Sequence, residues 1–209
     1  MLRRILFISL TLILSFSISL SAQNSKFEPV DIYSSAYIYL LCSNKITISG
    51  NANLSGNLFS NSDIDLSGNS TITGDLFATG SIFGKGNSSI TGTCNEGVET
   101  LTLPELPDKS YYQSLADETI SAKGTYKLSG TISKIVFIDG DVMIKGSLSG
   151  TGTIIATGDI KVINAENSEK FSLISYSDIK LDGSIDFTAL CYAAGSIKVN
   201  AIGDFSGSL

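Results

Sequence analysis

The chain has 209 residues, is 43% hydrophobic and 16% charged, and carries a net charge of −6. That balance suits one globular or solenoid domain and excludes a disordered chain. It contains no histidine and no tryptophan, which removes Ser/His/Asp and Cys/His catalysis and every histidine-bearing metal site.

The N-terminus reads as a secretory signal. Arg3 and Arg4 precede an apolar stretch over 5–20, and Ser19, Ser21 and Ala22 supply small residues for cleavage after Ala22. Sixteen residues are short for a membrane span of about 20, so membrane attachment is expected only through an uncleaved signal. Residues 1–22 are assigned to the signal, 23–38 to a leader, and 39–209 to the folded domain. The expected location is exported: periplasmic, cell-surface or extracellular. Arg3 and Arg4 are the only arginines, so the mature chain sets twelve lysines against twenty carboxylates, a net −8. An acidic surface without arginine is a poor nucleic-acid binder.

From residue 40 a nine-residue phrase returns seven times, at 40–48, 58–66, 76–84, 136–144, 154–162, 173–181 and 191–199. It reads apolar, apolar, small, any, Gly/Ser/Asn, Asp/Ser/Lys, apolar, any, apolar or Gly. The starts are 18, 18, 60, 18, 19 and 18 residues apart. A fixed short period marks units that bury their apolar face only by stacking. Within each unit, alternate positions are apolar or small, as in Ile46, Ile48, Leu54, Leu58, Ile64 and Leu66, which is the period of a strand. Glycines such as Gly50, Gly56, Gly68 and Gly74 fall between the short strands and mark corners. The fold predicted is all-β, a single-stranded right-handed parallel β-helix of roughly eight coils, about 18 residues per coil.

Residues 94–134 break the period and form an insert holding Pro104 and Pro107. Residues 108–118 predict a short helix with Asp108 at its N-cap. The segment is too short and polar for a core of its own.

A left-handed β-helix places its small residue directly after the aliphatic one. Here glycine comes two positions later, as in Ile48-Ser49-Gly50 and Ile72-Thr73-Gly74. With the runs at 48–64, 72–82 and 136–162, this resembles the bactofilins, bacterial polymer-forming scaffold proteins. It resembles more closely the exported bactofilin-like domains of bacterial surface and pilus-associated proteins. The resemblance implies a right-handed parallel β-helix over about residues 38–209, and a structural role that includes self-association or an envelope or pilus partner.

Four groups of residues carry candidate chemistry. Asp63, Asp141, Asp159 and Asp178 recur at one corner, about 4.8 Å apart if stacked. Like charges that close need neutralising. Calcium on Asp141, Asp159 and Asp178 is one solution; pairing with Lys161, Lys180 and Lys198, two residues on, is the other. A glycosidase pair could come from Asp139 with Asp141, or from Asp178, Asp182 and Asp186, but no insertion nearby would wall a groove. Carbohydrate binding or carbohydrate-active chemistry on these Asp clusters is therefore the alternative to a non-enzymatic scaffold, with glycan as the partner it implies. No cofactor is implied. Thr47, Thr71, Thr73, Thr91, Thr151 and Thr153 do not align at one period, which ranks ice binding last.

The fourth group is an apolar column beside the inward one: Leu41, Phe59, Phe77, Phe137, Ile155, Ile174 and Tyr192. A stripe of this size is not incidental. Three explanations are open: burial of both residues at a corner, coverage by the insert through Leu101, Leu103, Leu106, Tyr111, Tyr112 and Leu115, or a docking surface for another chain or an envelope partner. Cys42 and Cys191 fall at opposite ends of the array in sequence, which makes them poor bridge partners. Cys94 lies in the insert.

Overall fold

The computed structural model describes residues 39–102, 105–167 and 169–206, with only the backbone of Tyr39–Ser43. The signal and leader at 1–38 lie outside the described residues. In chain order the strands are β1 (Tyr39–Ser43), β2 (Ile46–Ser55), β3 (Asn57–Ser60), β4 (Ile64–Leu66), β5 (Thr71–Thr73), β6 (Leu76–Ala78), β7 (Ile82–Phe83), β8 (Ser89–Ile90) and β9 (Cys94–Glu96). Helix α1 (Lys109–Leu115) follows. Then come β10 (Glu118–Ser121), β11 (Tyr126–Thr131), β12 (Ile135–Asp139), β13 (Val142–Ser149), β14 (Thr153–Ala156), β15 (Ile160–Asn167), β16 (Phe171–Ser175), β17 (Ile179–Ala193) and β18 (Ile197–Ser206). The result is a parallel β-solenoid with one short helix.

The core consists of side-chain columns, one residue per coil. Tyr126, Val142, Ile160, Ile179, Ile197, Ile46, Ile64 and Ile82 stand in direct register. Leu128, Ile144, Val162, Leu181, Val199, Ile48 and Leu66 form the next column, two residues on. From Ile144 to Leu66 its side chains are fully buried. Each buried aliphatic side chain contributes about 1.5–3 kcal/mol by leaving water. At the tight corner the small residues Ser60 and Ser175 are also fully buried. Their hydroxyls stay satisfied, Ser60 donating to the Asp63 carbonyl at 3.0 Å and Ser175 to the Gly158 carbonyl at 2.8 Å.

The coils do not stack in chain order. β18 pairs in parallel with β2 over ten residues, from Ile197 opposite Ile46 to Ser206 opposite Ser55. Along the rod the coils therefore run 118–131, 135–149, 153–167, 171–188 and 189–206, and then 39–55, 57–73, 76–90 and the single strand β9. One face is nine strands deep: β10, β12, β14, β16 and the last part of β17, then β1, β3, β6 and β9, with β1 beside β17. The solenoid is continuous in space and broken in sequence between its fifth and sixth coils. The opposite-ends placement of Cys42 and Cys191 fails for this reason, since both lie on strands flanking the break. Cys191 is a free thiol with its side chain buried in the core, which pushes its pKa up to about 12. Cys94 is free and exposed on β9.

The insert is also shorter than its sequence limits of 94–134. β9 pairs with β6 and β10 pairs with β12, so both flanks are coils. What remains is a strap at 97–117. Its helix begins after Asp108, whose carboxylate accepts from the Ser110 N–H at 2.9 Å, a side-chain N-cap.

Because the break is only covalent, the rod should tolerate its repair. A permutant that begins at Glu105, runs to Ser206, passes through a short glycine link into Tyr39 and ends at Thr102 is expected to fold to the same solenoid. Circular dichroism and a single cooperative thermal transition are the readout. A helical or unfolded product would show that the coil order is wrong.

Candidate functional site

The apolar stripe and the strap belong together. The strap starts at the end of the rod holding β9 and must reach β10 at the other end, eight coil spacings or about 38 Å away. It runs along the side of the rod. The Val98 N–H bonds the Ala78 carbonyl at 3.2 Å. Leu101 exchanges two hydrogen bonds with the Asn61 side chain, at 2.7 and 2.9 Å. The Tyr176 hydroxyl donates to the Pro107 carbonyl at 2.5 Å, and Lys109 sits 5.5 Å over the Tyr176 ring. Tyr112 of α1 packs in a buried cluster with Phe137, Ile155 and Ile174, flanked by Leu106 and Tyr176. Asp117 closes the strap, its N–H bonding the Ile135 carbonyl and its carboxylate accepting from the Ile135 N–H.

The stripe is therefore not an open docking surface. Phe59, Phe137, Ile155, Ile174 and Tyr192 are buried, and Phe77 is partly buried. Leu41 leaves the column altogether. A register shift after Tyr39 sets Leu41 opposite Leu58 and Cys42 opposite Phe59. Of the strap residues expected to cover the stripe, Tyr112 and Leu106 do so, while Tyr111 and Leu115 are exposed. Leu103 lies outside the described residues. The Tyr112 hydroxyl is buried with no hydrogen-bond partner among the described residues. Burial, then the neighbouring Tyr176, Tyr111 and Tyr192, raises its pKa.

The corner carboxylates are coil-to-coil staples. Each accepts the backbone N–H of the matching position one coil on: Asp63 from Ser81, Asp141 from Asp159, and Asp178 from Ser196, all at 2.9 Å. Asp159 accepts from the Asp178 N–H and from the Ser177 hydroxyl. Asp75 repeats the arrangement with Thr93 at 2.7 Å. This explains the Gly-Asp and Gly-Ser steps of the repeat. A Cβ at Gly158 would lie 2.1 Å from the Asp141 carboxylate oxygen, and one at Gly195 would lie 2.5 Å from that of Asp178. At these two corners glycine leaves the room in which the carboxylate reaches the next N–H.

The lysines complete the corner. Lys180 pairs with Asp159 of the preceding coil, and Lys198 lies 3.7 Å from Asp178. Lys161 turns instead to Asp182 of the following coil, at 2.9 Å. Partial burial opposes ionisation of Asp159, but Lys180, the Ser177 hydroxyl and the Asp178 N–H outweigh it and hold the carboxyl below its usual value. The hydrogen bond to Asp159 raises Lys180 in turn. Among the described residues no group of three Asp, Glu or Cys could hold a metal ion. Asp141, Asp159 and Asp178 are thus placed as staples and do not assemble the calcium site that their spacing suggested. The glycosidase candidates do not converge either. Asp139 accepts from the Thr157 hydroxyl, Asp182 is paired, and Asp186 stands outward next to Glu166. Glu166 and Asp186 line a shallow groove of about 240 Å³ with Asn164 and Gly146.

A feature missed in sequence lies on the opposite face. Thr188, Ser206, Ser55 and Thr73 stand in register on four successive coils. Thr91 follows one residue beyond Ile90, which pairs with Ile72, and Thr131 with Ser149 extend the column at the far end. Hydroxyls within it touch, Thr131 to Ser149 at 2.8 Å and Thr188 to Ser206 at 2.9 Å. On the third coil Asn167 stands opposite Leu148, one residue short of the column, and its side chain bonds the Thr188 backbone. Two residues away runs a second exposed column: Ser147, Glu166, Asp186, Asp204, Asn53, Thr71 and Ser89. The alignment is invisible in sequence unless serine counts with threonine and the coils are taken in spatial order.

No protein-family description matches the chain, and no curated protein does. Among solved structures it is similar to an ice-binding protein from the Antarctic ascomycete Antarctomyces psychrotrophicus. The identity is 11% and the TM-score 0.49, over 84% of this chain and 97% of that one. It is also similar to an ice binding protein from an Antarctic Biological Consortium, at 14% identity and a TM-score of 0.40, over 84% of this chain and 90% of that one.

The Asp159 staple yields a signed pH dependence. A carboxylate held below its ordinary pKa of 3.8 stabilises the fold at higher pH, and that contribution is lost as pH falls through the folded-state value. Asp159→Asn keeps an acceptor for the Asp178 N–H but loses the pairing with Lys180. It is expected to cost about 0–1 kcal/mol at neutral pH, as for other solvent-reached pairs, and the cost should vanish in acid. Tm measured from about pH 7 down to pH 2 should converge for the two proteins. A gap that persists in acid would deny the charge its role.

Proposed function

We propose that this chain is a non-enzymatic, exported structural protein, a rigid rod that serves as a component of a cell-surface or envelope assembly. The observation that carries the reading is the use made of the ionisable groups. The corner carboxylates are committed to joining coils, so the polar chemistry of the rod serves rigidity. The signal-like N-terminus supports export. Assembly is supported by the two ends of the rod, where β9 and β10 leave strand edges that can pair. In-cell crosslinking is expected to recover further copies of the chain or an envelope component. Release of reducing sugar from a panel of envelope and extracellular polysaccharides, abolished by Asp186→Asn, would overturn the reading in favour of a carbohydrate-active protein.

A second reading, ice binding, is favoured by one specific observation, the aligned hydroxyl column on a sheet face. A regular array of hydroxyls repeating every ~4.8 Å along the rod can order water in a repeating pattern. Under this reading the protein inhibits ice recrystallisation. Ser55→Lys with Thr73→Lys abolishes that inhibition while leaving Tm within about 0.5 kcal/mol equivalent of wild type, as expected for exposed positions. A wild-type protein with no effect on ice growth would end this reading.

A further inference from the structure

We propose that the break between the fifth and sixth coils is an exchange interface, through which residues 39–96 of one copy pair with β18 of a second copy. The proposal rests on the assembly reading above and adds to it a route separate from the rod ends. The break is bounded by two long complementary edges, β18 and β2, matched over ten residues. Apolar columns cross it without interruption: Ile197 on Ile46, Val199 on Ile48, Phe205 on Leu54. The Asn53 amide donates to the Asp204 carboxylate across it at 2.8 Å. Left open, each edge would be a long row of unpaired backbone groups beside a bare apolar column.

No peptide bond holds this junction closed. The two blocks, 39–96 and 118–206, are joined only through the strap on the side of the rod. The strap crosses the break and is held to both blocks: Val98 and Leu101 bond Ala78 and Asn61 of the first, and Pro107 and Asp117 bond Tyr176 and Ile135 of the second. Between these two sets of bonds lies a cavity of about 490 Å³ lined by Asn44, Tyr192, Ala193, Thr102 and Glu105 among others. Parting the blocks therefore breaks none of these bonds, each of which joins the strap to a single block. A second copy presents the same edge with the same partners, so exchange keeps every contact of the junction. Reciprocal exchange closes a dimer. Head-to-tail exchange extends into a chain of rods. Opening a folded monomer exposes the whole junction, so exchange proceeds during folding at high concentration and not between folded molecules.

The test uses the full chain with Cys94→Ser. Asn53→Cys and Asp204→Cys are made separately, mixed, unfolded and refolded together at high concentration, then oxidised. Exchange predicts an inter-chain disulfide joining positions 53 and 204, identified by peptide mass mapping, and its absence when the two are mixed after folding. The double variant, oxidised as a monomer, is expected to stay monomeric by light scattering at concentrations where the reduced protein refolds to larger species. If these variants misfold by circular dichroism, the exposed pair Ser55→Cys and Ser206→Cys replaces them. A strict monomer after concentrated refolding, or larger species that lack the cross-junction link, or association of the locked double variant, each overturns the proposal. Such failures leave the non-enzymatic rod standing, whereas sugar release would remove that reading whatever the oligomeric state.

Discussion

The structure depends on the pairing of β18 with β2. A parallel solenoid has no core until its coils stack, because each coil is one storey of every apolar column. Here the stacking must be completed between segments from opposite ends of the described chain. Without that junction the molecule would be two short solenoids with two extra open edges. With it, a single core runs the length of the rod. The strap is a direct consequence. Because β1 lies in the middle of the rod and the coils after it run to one end, the chain must travel back outside to start the other half. Its path needs an apolar track on the rod and apolar residues on the segment itself. Phe137, Ile155 and Ile174 provide the first, and Tyr112 and Leu106 the second.

The corners show how a low-charge chain spends its few carboxylates. A stack of like charges about 4.8 Å apart would repel strongly if nothing intervened. Each staple carboxylate instead accepts an N–H from the next coil, and at two of these corners, Asp159 and Asp178, a lysine adds the countercharge. Glycine at the preceding position clears room for the carboxylate at Gly158 and Gly195, whereas at the Asp159 staple Ser177 stands there and adds its own hydroxyl to the carboxylate. The recurring Gly-Asp step is therefore a joint between coils. It resembles a catalytic or calcium motif only because those sites also gather carboxylates.

Much of the fold was legible because it depends on period. Alternation of apolar residues and an 18-residue repeat locate Ile46, Ile64, Ile160, Ile179 and Ile197 in one column with no knowledge of coil order. Asp108 as an N-cap was legible because capping is local. Coil order was not, since the repeat makes every coil edge look alike and the match of β18 to β2 involves residues about 150 positions apart. The errors that followed share this origin: the separation of Cys42 from Cys191, the over-long insert, and the unseen hydroxyl column. Leu41 failed for another reason. One residue of register shift after Tyr39 sets Leu41 opposite Leu58 and not Phe59, and composition carries no trace of it.

The two faces of the rod are consequently unequal. The face of short strands is occupied by the strap along most of its length, and its aromatic residues are committed to the chain's own closure. The face that includes β2, β5 and β18 has no such cover among the described residues, and its outward residues repeat at the spacing of the coils. A partner that recognises the periodicity of this protein, whether ordered water, a polymer or a further copy lying alongside, has this face available to it. The ends of the rod offer strand edges but only one coil each, so they can extend the solenoid without reading its repeat. Lateral recognition and end-to-end growth, if the rod served in either, would draw on different residues: Ser55, Thr73 and Ser206 for the first, and the edges of β9 and β10 for the second. Substitutions in one set should leave the other intact, because no hydrogen bond or core column links them except through the rigid rod itself.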